Sequence, residues 1–132
     1  MNKRHIQNLK AYFGTLPEIK LVYFGGSQSR QEYGELSDYD FALYRDTRDK
    51  VKMHKIRIDT MVGITRLLKT DRIDVVVLNL TTNPDLKYLI IKEGRLIYSK
   101  EPFKVIFEPR IMNEYFDFHK MLDRHSLTKA SA

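Results

Sequence analysis

The sequence predicts an α/β (α+β) sandwich: a small sheet of about four strands flanked by helices. Three observations carry this. Helical apolar spacing and short β-rich runs alternate along the chain in the order α, β, loop, β, α, β, α, β, α. Glycine and proline are sparse, at 6 and 4 residues, so connections are few and short. Hydrophobic residues make up 42% and aromatics 11%, which supplies one core and argues against disorder.

Each element has its own signal. From Lys3 to about Leu16, Ile6, Leu9, Tyr12 and Phe13 fall at helical spacing, and Pro17 stops the run. Ile19 to Phe24 is a β-rich stretch that ends at Gly25-Gly26. Gln28 to Leu36 is polar and reads as a loop or a short helix, and Asp38 to Tyr44 alternates as a second strand. A basic helix spans about Asp49 to Leu68, with Ile58, Met61, Val62, Thr65 and Leu68 as an apolar stripe and Gly63 as a weak point. Ile73 to Leu78 is a third strand. Pro84 opens a short helix through Glu93, with Gly94 placed as its left-handed stop. Arg95 to Tyr98 is a fourth strand. Pro102 to about Arg124 is helical again, with Pro109 expected to start a new helix or kink the old one.

Length and composition bound the function. The 132 residues amount to one domain, taken as residues 1–132. There is no cysteine, which excludes disulfides and thiolate-held metals. No apolar run approaches the roughly 20 residues that cross a bilayer, and Met-Asn-Lys-Arg-His does not open a signal peptide. The expectation is a soluble, cytoplasmic protein with no membrane partner. Lysine and arginine total 23 against 17 acids, a formal charge of +6, which admits an anionic partner without demanding one. Between Arg45 and Arg72, nine cations face four acids. A solvated helix face is the favoured account, with a platform for nucleotide or RNA as the alternative. No aromatic-rich strand of the kind that stacks single-stranded RNA is visible, so direct nucleic-acid binding is not favoured.

The chemistry concentrates between Gly25 and Phe41, in Gly25-Gly26-Ser27 and Ser37-Asp38-Tyr39-Asp40. A Gly-Gly-Ser turn after a strand lets backbone N–H groups approach a polyphosphate and adds a hydroxyl donor. Asp38 and Asp40, two apart on a strand, face the same side, as two hard oxygen ligands for a divalent cation must. Asp74 leads another strand of the apolar sheet. Each feature alone also reads as a turn, a polar strand entry or a solvent-facing strand start.

Together, Gly-Ser, ten intervening residues, Asp-x-Asp on a strand and a further Asp opening an apolar strand resemble the nucleotidyltransferase superfamily that includes DNA polymerase beta. The segments Tyr88 to Tyr98 and Arg110 to Phe118 are similar to later elements of its minimal members, the MntA-type antitoxins of HEPN/MNT toxin–antitoxin pairs. The resemblance implies the polymerase-beta-like fold, with a small mixed β-sheet of about four strands flanked by helices, and an adenylyltransferase that moves AMP from ATP onto a tyrosine of a HEPN RNase toxin. It implies that Gly26 and Ser27 hold the β- and γ-phosphates and that Asp38, Asp40 and Asp74 ligate two Mg²⁺ ions. Asp74 is further implied to help deprotonate the acceptor hydroxyl. A hetero-oligomer with the toxin follows from the same resemblance. Two other readings stand beside it: a small-molecule adenylyltransferase of the aminoglycoside-modifying kind, and an antitoxin that neutralises by binding alone.

His5, His54, His119 and His125 show no metal-ligand spacing. From Phe103 to Leu122 the tail carries more aromatic and aliphatic residues than one helical stripe uses. Packing on the sheet explains some, and the surplus is a candidate partner surface, with Tyr115 and Phe118 as its anchors.

Overall fold

The computed structural model describes residues 1–25 and 39–130, with side chains described as far as 126. The elements follow the expected order: α1 (Lys3–Gly14), β1 (Ile19–Phe24), β2 (Tyr39–Arg45), α2 (Lys50–Leu68), β3 (Ile73–Val77), α3 (Pro84–Glu93), β4 (Arg95–Ser99) and α4 (Phe103–Ala130). The stretch from Gln28 to Leu36, read as loop or short helix, lies outside the described residues.

Side-chain caps set the helix starts. Asn2 accepts the His5 N–H at 2.8 Å at the start of α1. Asp49 takes the Val51 and Lys52 N–H groups ahead of α2, and Asn83 takes those of Asp85 and Leu86 ahead of α3.

The sheet has four strands in the order β3-β2-β1-β4. β1 is antiparallel to both β2 and β4, whereas β2 and β3 run parallel with α2 as their crossover. The period-two alternation of β2 divides the core. Phe41 and Leu43 join Leu9 and Phe13 of α1 and Ile64 of α2 on one face. Ala42 joins Leu21, Tyr23, Ile90 of α3, and Phe107 and Ile111 of α4 on the other. Even-numbered positions of β2 therefore face the α3–α4 side.

The structure sharpens the local expectations at three places. The buried side of α2 is Met53, Thr60 and Ile64, while Ile58 and Val62 are 58% and 45% exposed. Met61 and Leu68 of the expected stripe do pack against the core, so the apolar spacing is right in part and only Ile58 and Val62 turn outward. At Gly63 a Cβ would lie 2.1 Å from the Tyr12 hydroxyl, so its absence makes room for the α1 ring. Gly94 is not left-handed; its φ and ψ are −71° and 153°. It is glycine because a Cβ would meet the Ile90 carbonyl oxygen at 2.4 Å, the same oxygen that accepts its N–H at 2.8 Å. Finally, α4 is a single helix with Pro109 inside it, so the proline does not begin a new helix.

The tail divides as expected between core and surface, but along different residues. Phe107 and Ile111 are buried. Tyr115 stacks on Tyr88 of α3 with centroids 3.8 Å apart, which makes it an α3–α4 contact, and Phe118 is half-buried. Among the exposed apolar side chains of the tail are Ile106, Phe116 and Leu122, with Phe116 at 57%.

Two measurements test this packing. Alanine is worth about 1 kcal/mol over glycine inside a helix, a gain that Gly63→Ala forfeits in the native chain by displacing the Tyr12 ring. In a Tyr12→Ala background the same change stabilises by about 0.5–1 kcal/mol. Equal effects in both backgrounds, read from urea melts, count against the contact. The second concerns Tyr23, which is buried and donates its hydroxyl to Glu108 at 2.7 Å. Burial first, then the Glu108 hydrogen bond and charge, push the phenol well above its ordinary value near 10. Once the pH exceeds 10, the unfolded chain loses this proton and the native chain keeps it, so stability is full below 10 and falls as pH rises further. The decline is expected to be shallower in Tyr23→Phe, by denaturant melts at pH 9 and 11.

Candidate active site

Parallel pairing of β2 and β3 brings the acids together. Asp40 and Asp74 are direct partners in register, one residue in from the start of each strand. Side chains opposite one another on adjacent strands share a face, and adjacent strands lie about 4.8 Å apart. The two carboxylates therefore stand side by side on the α3–α4 face, beyond the point where those helices close over Ala42. Both residues are half-buried.

The end of β1 is fastened to the same place. Gly25 has φ 92°, a left-handed turn that glycine enters without strain, and its N–H donates to the Asp40 carbonyl at 3.0 Å. The start of β2 is tied across to the approach of β3 by the Tyr39 N–H on the Arg72 carbonyl, at 3.2 Å. The turn that leads into Gly26 and Ser27 thus begins beside the acid pair. Gly26, Ser27 and Asp38 themselves lie outside the described residues. Among the described residues no group of three or more His, Cys, Asp or Glu is placed to hold a metal ion.

A cation from α2 reaches this edge. The Arg57 Nε donates to the Val75 carbonyl at 2.7 Å, and its Nη2 stands 4.0 Å from an Asp74 carboxylate oxygen. Sequence reasoning placed Arg57 only in the general basic run. The signal was its phase: Met53, Arg57, Thr60 and Ile64 lie on one helical stripe, so a cation there is carried toward the sheet. Arg45 leaves the proposed basic platform for a different reason. It is buried, pairs with Glu18 and donates to the Lys52 carbonyl at 2.7 Å.

The donor set fits a divalent cation. Two neighbouring carboxylates at an open strand end repel one another, and a hard cation relieves that repulsion while leaving coordination positions for phosphate oxygens.

A model of the polymerase beta nucleotidyltransferase family matches residues 7–103. The chain belongs to that family. The fold of this nucleotidyltransferase is also that of a chain in an MntA-HepT toxin-antitoxin crystal structure, with a TM-score of 0.64 and 19% identity over 98% of both chains. A toxin-antitoxin structure with AMP-PNP gives 0.63 at 21% identity, covering 99% of this chain and 98% of that one. An MntA-HpeT mutant with two aspartates changed to glutamate gives 0.65 at 20%, with the same coverage. No curated protein matches the sequence. Among the described residues, no helix of this nucleotidyltransferase is long and apolar enough to cross a membrane.

Arg57→Ala removes a charged donor from a strand carbonyl and a cation that stands beside Asp74. It is expected to cost about 1–2 kcal/mol, toward the low end because water reaches an edge strand. Urea denaturation measures this, and an unchanged midpoint would show that the bond does not hold β3 in place.

Proposed function

We propose that this chain is an antitoxin adenylyltransferase that transfers AMP from ATP to a tyrosine hydroxyl of a partner HEPN RNase toxin. The observation that carries the reading is the register of Asp40 against Asp74, with the Gly25 turn tied to Asp40. Family membership supports nucleotidyl transfer, and the likeness to chains of toxin–antitoxin structures, one holding an ATP analogue, supports the partner and the nucleotide.

In this reading Asp38, Asp40 and Asp74 ligate two Mg²⁺ ions, and Gly26 and Ser27 cradle the β- and γ-phosphates. When bound, the metals neutralise phosphate charge and steady the attacking and leaving oxygens. The acceptor hydroxyl oxygen bonds to the α-phosphorus, and the bond from that phosphorus to the bridging oxygen of the β-phosphate breaks. Pyrophosphate departs, and Asp74 receives the hydroxyl proton. Arg57 fixes the strand that carries Asp74. Most of the acceleration in such a transfer comes from positioning and charge neutralisation, which a carboxylate pair on rigid strands supplies.

The likeness to chains of toxin–antitoxin structures favours a macromolecular acceptor that presents its own hydroxyl. Incubation of the chain with a HEPN RNase toxin, Mg²⁺ and labelled ATP tests the reading. Asp40→Asn and Asp74→Asn should each lower transfer by at least about a hundredfold with the fold retained. Mg²⁺ with ATP should raise the Tm of the native chain but not of Asp40→Asn. Neutralisation of the toxin without any labelled product would instead make the chain an antitoxin that acts by binding.

A further inference from the structure

A cavity among the described residues lies at the other end of the sheet. β2 and β3 are parallel, so if Asp40 and Asp74 mark their beginnings, Arg45 and Val77 mark their ends. Five residues of strand separate Asp40 from Arg45, roughly 17 Å at 3.3 Å per residue. Beyond those strand ends, between the start of α2 and the α3–α4 pair, is a cavity of about 680 Å³. That volume is in the range of small-molecule sites, and the carboxyl ends of parallel strands are where open α/β sheets collect ligands.

Its chemistry is specific. One wall is aromatic: the Tyr44 and Phe107 rings lie with centroids 4.3 Å apart. The charged lining is unbalanced toward cations. Lys87 is neutralised by Glu114 at 2.8 Å, and Arg45 by Glu18. That leaves Arg48, Lys50 and Arg110 against Asp46. Beneath them the buried Nε of Arg45 finds no acceptor among the described residues. The N–H groups opening α2 are already taken by Asp49, so the helix end is not the source of attraction; the side-chain cations are. An apolar ring surface beside three cations suits an anion with a flat body.

We propose that this cavity is a second anion site, separate from the carboxylate end, that takes a mononucleotide. Its base lies against the Tyr44–Phe107 wall and its phosphate among Arg48, Lys50 and Arg110. The site needs no divalent metal, because cations of the protein do the neutralising. This separates it from transfer chemistry, and the test below does not depend on any toxin.

The experiment is an NMR titration of the full ¹⁵N-labelled chain with AMP, in EDTA, into the millimolar range. Shifts are expected at the Asn79 side-chain amide, which bridges both backbone groups of Arg45, and at the Thr47 and Lys87 amides. The double variant Arg48→Glu/Arg110→Glu, both surface positions, should weaken AMP roughly tenfold or more. Should that variant unfold, Arg48→Gln alone gives a smaller loss in the same direction. Asp40→Asn should leave the affinity unchanged. The proposal is overturned if no shifts appear, if they cluster at Gly25, Asp40 and Asp74, or if the charge-altered variants bind AMP as the native chain does.

Discussion

The parallel register between β2 and β3 is the constraint on which the rest of this molecule depends. Pairing Asp40 with Asp74 is the same act as pairing Phe41 with Val75 and Leu43 with Val77. A slip of one residue would turn Phe41 and Leu43 out of the α1–α2 core and move the acids to opposite faces. The hydrophobic alternation of two strands therefore secures a polar arrangement that by itself is repulsive. Burial of Phe41, Leu43, Val75 and Val77, each worth about 1.5–3 kcal/mol, far exceeds the repulsion between two half-exposed carboxylates.

The connections then distribute charge along the sheet. β1 meets β2 antiparallel, so the end of β1 and the start of β2 lie together and the Gly25 turn falls beside Asp40. The crossover through α2 carries its cations past both ends of β3. Arg57, in mid-helix, reaches the strand edge near Asp74. Arg48 and Lys50, at the helix start, stand over the opposite end with Arg110 of α4. Among the described residues, the paired carboxylates and the Arg48, Lys50 and Arg110 cations thus lie at opposite ends, separated by the length of one strand.

Much of this was legible in the sequence, and the failures have physical causes. The four strands described and the layered sandwich follow from periodicity and turn residues, because Ile19 to Phe24 and Ile73 to Val77 have few alternatives; the mixed strand directions followed only from the family resemblance. The acid pair was legible too, since an Asp inside an apolar strand asks for a reason. What spacing could not reveal was that Ile58 and Val62 of α2 turn outward, since they are as apolar as the buried Met53 and Ile64. Arg45 was misjudged likewise: a cation ending a strand reads as surface until Glu18 is seen to fold back upon it. Glu18 stands 27 positions before Arg45, and nothing local links them.

Gly63 and Gly94 make the same point about what a glycine records. Both suggest weakness or a left-handed turn when read along the chain, yet neither is left-handed, and each marks a place where another group comes too close for a Cβ. At Gly94 the intruder is the Ile90 carbonyl, which ends α3 tightly enough for β4 to begin one residue later. That abrupt reversal is what sets β4 antiparallel beside β1, with Leu96 opposite Tyr23. Tyr23 in turn sits between α3 and α4 and fixes α4 through Glu108. Gly94 itself lies at the carboxylate end of the sheet, where Arg95 pairs with Phe24 and Phe24 with Phe41, so the tight reversal that starts β4 also frames the end on which Asp40 stands.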